Sequence, residues 1–114
     1  MTPEMIALAQ RAVACKGWRW MPGMRVLGGD RITERTLAID HGCLPDLTDA
    51  ATMGCLLALA REAWGDECAC VLPIDYGPAG VRWVARLTAG GRSLTERYWP
   101  TEAEALVAAL EAAP

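Results

Sequence analysis

The stretch VRWVARLTAGGRSLTERYW, residues 81–99, decides the fold. Two runs of alternating apolar and polar residues flank Gly90-Gly91, a pair suited to a tight primed turn with positive φ at its centre. With those glycines as the loop, Leu87 pairs with Leu94 and Trp83 with Tyr98. One face then carries Val81, Trp83, Ala85, Leu87, Leu94 and Tyr98, interrupted by Glu96. The other carries Arg82, Val84, Arg86, Ser93, Thr95, Arg97 and Trp99. A slip of one residue would mix the two sets, so their segregation selects this register. The Trp83 side is expected to turn inward and the arginine side outward.

The segments on either side are helical or strand-like by their own signals. After the hairpin, Pro100 stops the strand, and Thr101-Glu-Ala-Glu104 is a capping box that opens a last helix with Leu106, Val107 and Leu110 as its buried stripe. Before the hairpin, Tyr76-Gly-Pro-Ala-Gly80 is a loop, and Ala69–Ile74 is a short apolar strand that Pro73 places at a sheet edge. Further back, Leu44 to Trp64 is a helix with Asp46 as its N-cap and Gly65 beyond its last turn. The run from Met53 to Ala60 is apolar almost all the way round, so this helix is expected to be the central one. Gly54 is expected to admit a close neighbour, at a cost of about 1 kcal/mol in helix propensity.

At the start of the chain, Thr2-Pro3-Glu4 opens a helix: a capping hydroxyl, a proline pre-shaped for the first turn and an acid at the positive end of the dipole. Ile6, Ala9 and Val13 form its stripe and Lys16-Gly17 closes it. Trp18-Arg19-Trp20 alternates like a short strand and a second strand is expected around Thr36–Ile39, ended by His41-Gly42. Pro22-Gly23 and Gly28-Gly29-Asp30 break the stretch between them. Helices separated by runs of strands indicate one α+β domain over residues 1–114, a mostly antiparallel sheet packed with three helices.

Composition narrows the function. With 114 residues, 53% hydrophobic and 22% charged, the chain can form one real core. A net charge of −3 argues against general nucleic-acid binding, which needs a basic surface. Lys16 is the only lysine and every other basic residue is arginine. Arginine makes bidentate contacts to carboxylates and phosphates, although GC-rich codon usage yields the same bias. The five cysteines, Cys15, Cys43, Cys55, Cys68 and Cys70, are odd in number and two fall within helical patterns. Free thiols in a reducing, cytoplasmic setting are expected. No apolar run approaches the ~20 residues of a membrane span, and Met1-Thr-Pro-Glu4, with no basic stretch followed by an apolar one, leads us to expect no secretion.

The opening helix running into Trp18-Arg-Trp20, the Leu44-Pro-Asp46 lead into a helix ending Arg61-Glu-Ala-Trp64, a tryptophan-bearing strand and the closing helix after Pro100 together resemble the phage ABA-sandwich domain, a family of small phage and prophage proteins of unknown function. The resemblance covers Ile6–Trp20 and Leu44–Ala112 and lapses over Pro22–Asp40. It implies a three-layer α/β/α sandwich, with helices on both sheet faces, a viral origin in a bacterial host and no known active site. Three arginines buried together without carboxylates would be strongly unfavourable, so cover over the Arg82/Arg86/Arg97 face is expected to be partial.

That arginine face, with Trp99 beside it and Trp18 and Trp20 joining from the first strand, is the candidate binding surface. Guanidinium forks and aromatic plates suit a protein partner, host or phage, or, as the alternative, an anionic small ligand such as a nucleotide. A solvated face with its arginines paired to Glu96, Glu102 or Glu104 accounts for the same pattern without a ligand. The acidic residues Glu4, Asp46, Asp49, Glu102, Glu104 and Glu111 lie near helix starts or on exposed faces, and most are explained by capping and helix dipoles; the alternative is an acidic surface that imitates DNA or fills a basic groove in a host protein. His41-Gly-Cys43 and Cys68-Ala-Cys70 supply four soft groups, but neither pair has zinc-loop spacing, so no metal or other cofactor is expected. One histidine and one serine, Ser93, with nothing to orient them, give no catalytic set. The sequence therefore points to a non-enzymatic binding protein. Its hydrophobic surplus also suits a homodimer.

Overall fold

The computed structural model describes residues 2–36, 42–87 and 94–114, with 94–97 described for the backbone alone. The elements run α1 (Pro3–Val13), α2 (Ala50–Trp64), β1 (Cys70–Asp75), β2 (Val81–Arg86), β3 (Leu94–Trp99) and α3 (Glu102–Glu111). The strands form one antiparallel sheet in the order β1-β2-β3. The expected α+β class is the observed one.

The ends of the helices follow their local chemistry. Thr2 caps α1 by accepting from the Met5 N–H at 3.2 Å. Thr101 caps α3 by accepting from the Glu104 N–H at 3.1 Å, and its hydroxyl donates to the Glu104 carboxylate at 3.1 Å. Gly65 ends α2 in the left-handed region at φ 61° and ψ 33°, where a side chain would be strained. Two boundaries differ from expectation. The second helix begins at Ala50 with Asp49 as its cap, because Asp46 is engaged in its own turn, accepting from the Thr48 N–H at 3.0 Å and from the Thr48 hydroxyl. The first ends at Val13 with Ala14 as the cap, so Gly17 is not a helix terminator. Gly17 instead provides space: a Cβ there would lie 3.0 Å from Leu110 Cδ1 and 3.2 Å from Ala63 Cβ.

The central helix is α3, not α2. It packs against α1 and α2 on one side and against all three strands on the other, and Ala105, Leu106, Val107, Ala109 and Leu110 are buried on it. Trp64 at the end of α2 donates its indole N–H to the Ala109 carbonyl at 2.7 Å. Leu8, Ala9, Ala12, Leu56 and Leu59 complete the core from α1 and α2. The sheet contributes through Val71, which packs on that core, and through Ala85, its partner across β1 and β2. The order of layers is thus sheet, α3, then α1 with α2. Of the helix–sheet–helix sandwich that the resemblance implies, the described residues show one half, with a helix on one face of the sheet.

Gly54 also departs from expectation, since nothing lies within 4 Å of a Cβ built there. The apolar belt of α2 is completed by groups around it, not by a chain passing over its glycine. Gly54→Ala should therefore raise the unfolding free energy by up to about 1 kcal/mol, which urea denaturation will read as a higher midpoint at unchanged slope.

No strand forms over residues 18–20, and most of Thr36–Ile39 lies outside the described residues. The segment from Trp18 to Thr36 is instead a loop folded onto α2. It is held by isolated bridges between Arg25 and Arg31 and between Val26 and Pro45, with Met24 and Ile32 buried beneath it. Its polar staple is on the helix cap. Arg31 binds Asp49 through both terminal nitrogens at 2.9 Å and the Gly23 carbonyl at 2.7 Å. The fully buried Thr52 hydroxyl donates to Asp49 and accepts from the Arg25 N–H at 2.8 Å.

Candidate functional site

The register of β2 with β3 determines which aromatic group stands beside the arginines. Trp83 pairs with Trp99, and Ala85 with Leu94, with a bulge between. Residue 84 alone separates these pairs on β2, while residues 95–98 separate them on β3. The expected pairing of Trp83 with Tyr98 and Leu87 with Leu94 is therefore displaced, and Gly90-Gly91 lies outside the described residues. A bulge inserts unpaired residues on one strand and re-aims the side chains beyond it. Its consequence here is an exchange: Trp99 joins Trp83 on the α3 side, and Tyr98 moves to the arginine side. The signal was Glu96, whose carboxylate would have interrupted the apolar face and which lies within the bulged span.

The outer face of the sheet can now be read from the pairing of β1 with β2. Ile74 faces Arg82, Leu72 faces Val84 and Cys70 faces Arg86. Arg82 and Arg86 are exposed, as expected. Val84 between them is only 4% exposed, an apolar residue buried on the arginine face. Leu72 and Tyr98 are 37% and 50% exposed. Arg97 is on β3, but its side chain lies outside the described residues. Trp18 and Trp20 do not join this face. They meet edge to face at 5.5 Å and pack against the helical core.

Tyr76, unmarked in the sequence because it sits in a loop, is the residue that completes the site. Its ring meets Tyr98 edge to face, with centroids 5.7 Å apart and planes at 89°. Together with Ala79 and Arg82 they line an open hollow of about 300 Å³. The hydrogen bond to the Tyr98 side chain holds the Tyr76 hydroxyl above its ordinary pKa, so Tyr76 stays neutral at physiological pH. The turn that presents Tyr76 is internally closed: Tyr76 N–H donates to Gly80 O at 2.9 Å, Gly80 N–H to Gly77 O at 2.9 Å and Gly77 N–H to Asp75 Oδ1 at 2.7 Å. Gly77 and Gly80, at φ 66° and 88°, permit this path.

The arginines divide by what they hold. Arg11, Arg19 and Arg31 bind Glu111, Glu62 and Asp49. Arg25 and Arg61 bind the carbonyls of Gly29 and Ala69. Arg82 and Arg86, like Arg35 in the loop before α2, have no carboxylate or carbonyl partner among the described residues. Glu104, offered by the sequence as one, accepts from Thr101 instead.

The thiols form no centre. Cys68 stands in a turn, its N–H donating to Asp66 at 2.9 Å, and Cys70 begins the strand, so the two do not share a strand face. Burial pushes the Cys15 and Cys55 thiols up, which disfavours the reactive thiolate. Among the described residues no three His, Cys, Asp or Glu side chains converge as metal ligands, and His41 lies outside them. Also among the described residues, no helix is long and apolar enough to cross a membrane. Set against family models, curated proteins and solved structures, the chain shows no match.

Proposed function

We propose that this chain is a non-enzymatic binding protein that docks another protein carrying acidic groups onto the outer face of its sheet. The observation that carries this is the combination of Arg82 and Arg86, exposed and without carboxylate partners among the described residues, with the exposed apolar groups Leu72, Tyr76 and Tyr98. Exposed apolar groups beside arginine and tyrosine characterise protein-binding surfaces. Guanidinium groups with no carboxylate beside them among the described residues favour a partner with carboxylates. A two-fold pairing of this face with a second copy would bring together two faces whose described side chains carry arginines and no carboxylate, so a different protein fits better than a homodimer. A nucleotide fits less well: the Tyr76, Gly77 and Gly80 N–H groups are satisfied within the turn, leaving Arg82 as the only charged group among the described residues that line the hollow. The resemblance to phage proteins makes a bacterial host protein, such as a component of a defence system, the partner to seek in a cytoplasmic extract.

The test is capture from bacterial lysate followed by rebinding of the purified partner. The double variant Arg82→Glu/Arg86→Glu is expected to bind the purified partner about 10-fold or more weakly, and wild-type affinity should fall with salt. Both side chains are exposed, so the variant should keep its fold, as circular dichroism will show. A partner that binds wild type and double variant equally, or capture of nothing that rebinds when pure, overturns the proposal.

A further inference from the structure

We infer that the hollow formed by Tyr76, Ala79, Arg82 and Tyr98 is a peptide anchor, seating a proline of an extended segment whose neighbouring carboxylate pairs with Arg82. The inference rests on the proposed docking face and specifies what that face takes first.

Three observations select this occupant. The first is shape. Two tyrosine rings standing edge to face at 5.7 Å, each about half exposed, form a corner that Ala79 also lines. At about 300 Å³ the space suits one ring-sized side chain with its flanking backbone and is at the small end for a whole ligand. Paired aromatic rings that stay rigid in the free protein are how proline-rich segments in the polyproline conformation are held, because both partners are ordered before they meet. The second is rigidity. The closed Asp75–Gly80 turn fixes Tyr76 on one wall, and β3 fixes Tyr98 on the other, so little ordering remains to be done on binding. The third is charge. Arg82 lines the same hollow without a carboxylate among the described residues. A guanidinium at the rim of an apolar cleft selects a carboxylate on the segment that enters it. Arg86 lies farther along β2 on the same face and extends the preference for acidic residues past the anchor.

The experiment is a two-dimensional amide NMR titration of the full chain with four hexapeptides, each blocked at both ends. One alternates pairs of prolines with single glutamates. The others replace its prolines with alanine, its glutamates with glutamine, or its glutamates with lysine. The first is expected to saturate, with the largest shifts at Tyr76, Ala79, Arg82 and Tyr98. The alanine peptide should bind about 10-fold more weakly or worse, and the lysine peptide weakest of all. Tyr98→Ala and Tyr76→Ala should each weaken the first peptide about 10-fold, whereas Tyr98→Phe, which keeps the ring, should bind nearly as wild type. Arg82→Gln should remove the difference between the glutamate and glutamine peptides while leaving the dependence on proline.

Equal binding of the alanine and proline peptides, with shifts at Arg82 and Arg86 but none at Tyr76, overturns the anchor and leaves the acidic docking face standing. Binding by none of the four also overturns the anchor. Saturation at the hollow together with a captured partner indifferent to Arg82→Glu/Arg86→Glu supports the anchor and removes the docking face as its wider setting.

Discussion

Leu106→Ala is expected to lower the unfolding free energy by about 2–5 kcal/mol, the range for a fully buried leucine truncated in a core that cannot collapse around the loss. Leu106 is 1% exposed and sits on α3, the helix with α1 and α2 on one side and the sheet on the other. A cavity there loosens the element through which the two layers communicate. Both layers should therefore fail together. Far-ultraviolet circular dichroism, dominated by the helices, and near-ultraviolet signals from the tryptophans are expected to shift to the same lower midpoint. Leu57→Ala on α2 is the control. Leu57 is half-buried on the rim of the core and should cost less than Leu106. If the two variants cost the same, or if Leu57→Ala costs more, α2 rather than α3 is the energetic centre.

That contrast shows what the sequence could and could not disclose. Signals that act over three or four residues read true: the caps at Thr2 and Thr101, the left-handed Gly65, the edge strand around Pro73 and the break at Pro100. The apolar girdle of α2 was legible too, but not its meaning. An all-round apolar helix announces burial without saying which helix stands in the middle, and Gly54 looks the same whether a chain crosses it or solvent does. The candidate site divides the same way. Arg82 and Arg86 were found by strand alternation, which survives any register on β2 itself. Tyr98 and Trp99 were exchanged, because their facing depends on how β3 is counted against β2, and a bulge changes that count. Tyr76 carried no periodic signal, since a loop has no period. Trp18 and Trp20 alternated like a strand only because the loop that contains them packs both rings onto the core.

The loop from Trp18 to Thr36 was illegible for a stronger reason, and it leads to the second large effect. Its order comes from a contact between residues far apart in sequence, the pair of Arg31 with Asp49. Asp49 does three things at once: it caps α2 through the Thr52 N–H at 3.0 Å, accepts the Thr52 hydroxyl at 3.0 Å and takes both terminal nitrogens of Arg31. The Arg31 guanidinium, followed by the Thr52 amide, holds the Asp49 carboxyl well below the usual carboxylate range. A carboxyl depressed in the folded state contributes stability above its unfolded pKa of about 3.9, and that contribution is lost as pH falls from there towards the lower folded value. Asp49→Asn retains a competent cap but removes the charge. At neutral pH it should melt several degrees below wild type, and the gap should close progressively below pH 4, where protonation removes the same charge from wild type. Arg31→Gln should reproduce most of this effect, and the double variant little more than either single one, because both break one shared contact. Proteolysis supplies the local readout: trypsin should cut at Arg25 sooner in either variant, before the core opens, since the loop is then held by its apolar side alone. If the gap between wild type and Asp49→Asn persists unchanged at pH 2, or if Arg31→Gln leaves the acid limb as steep as before, the ion pair is not what fastens this loop to α2.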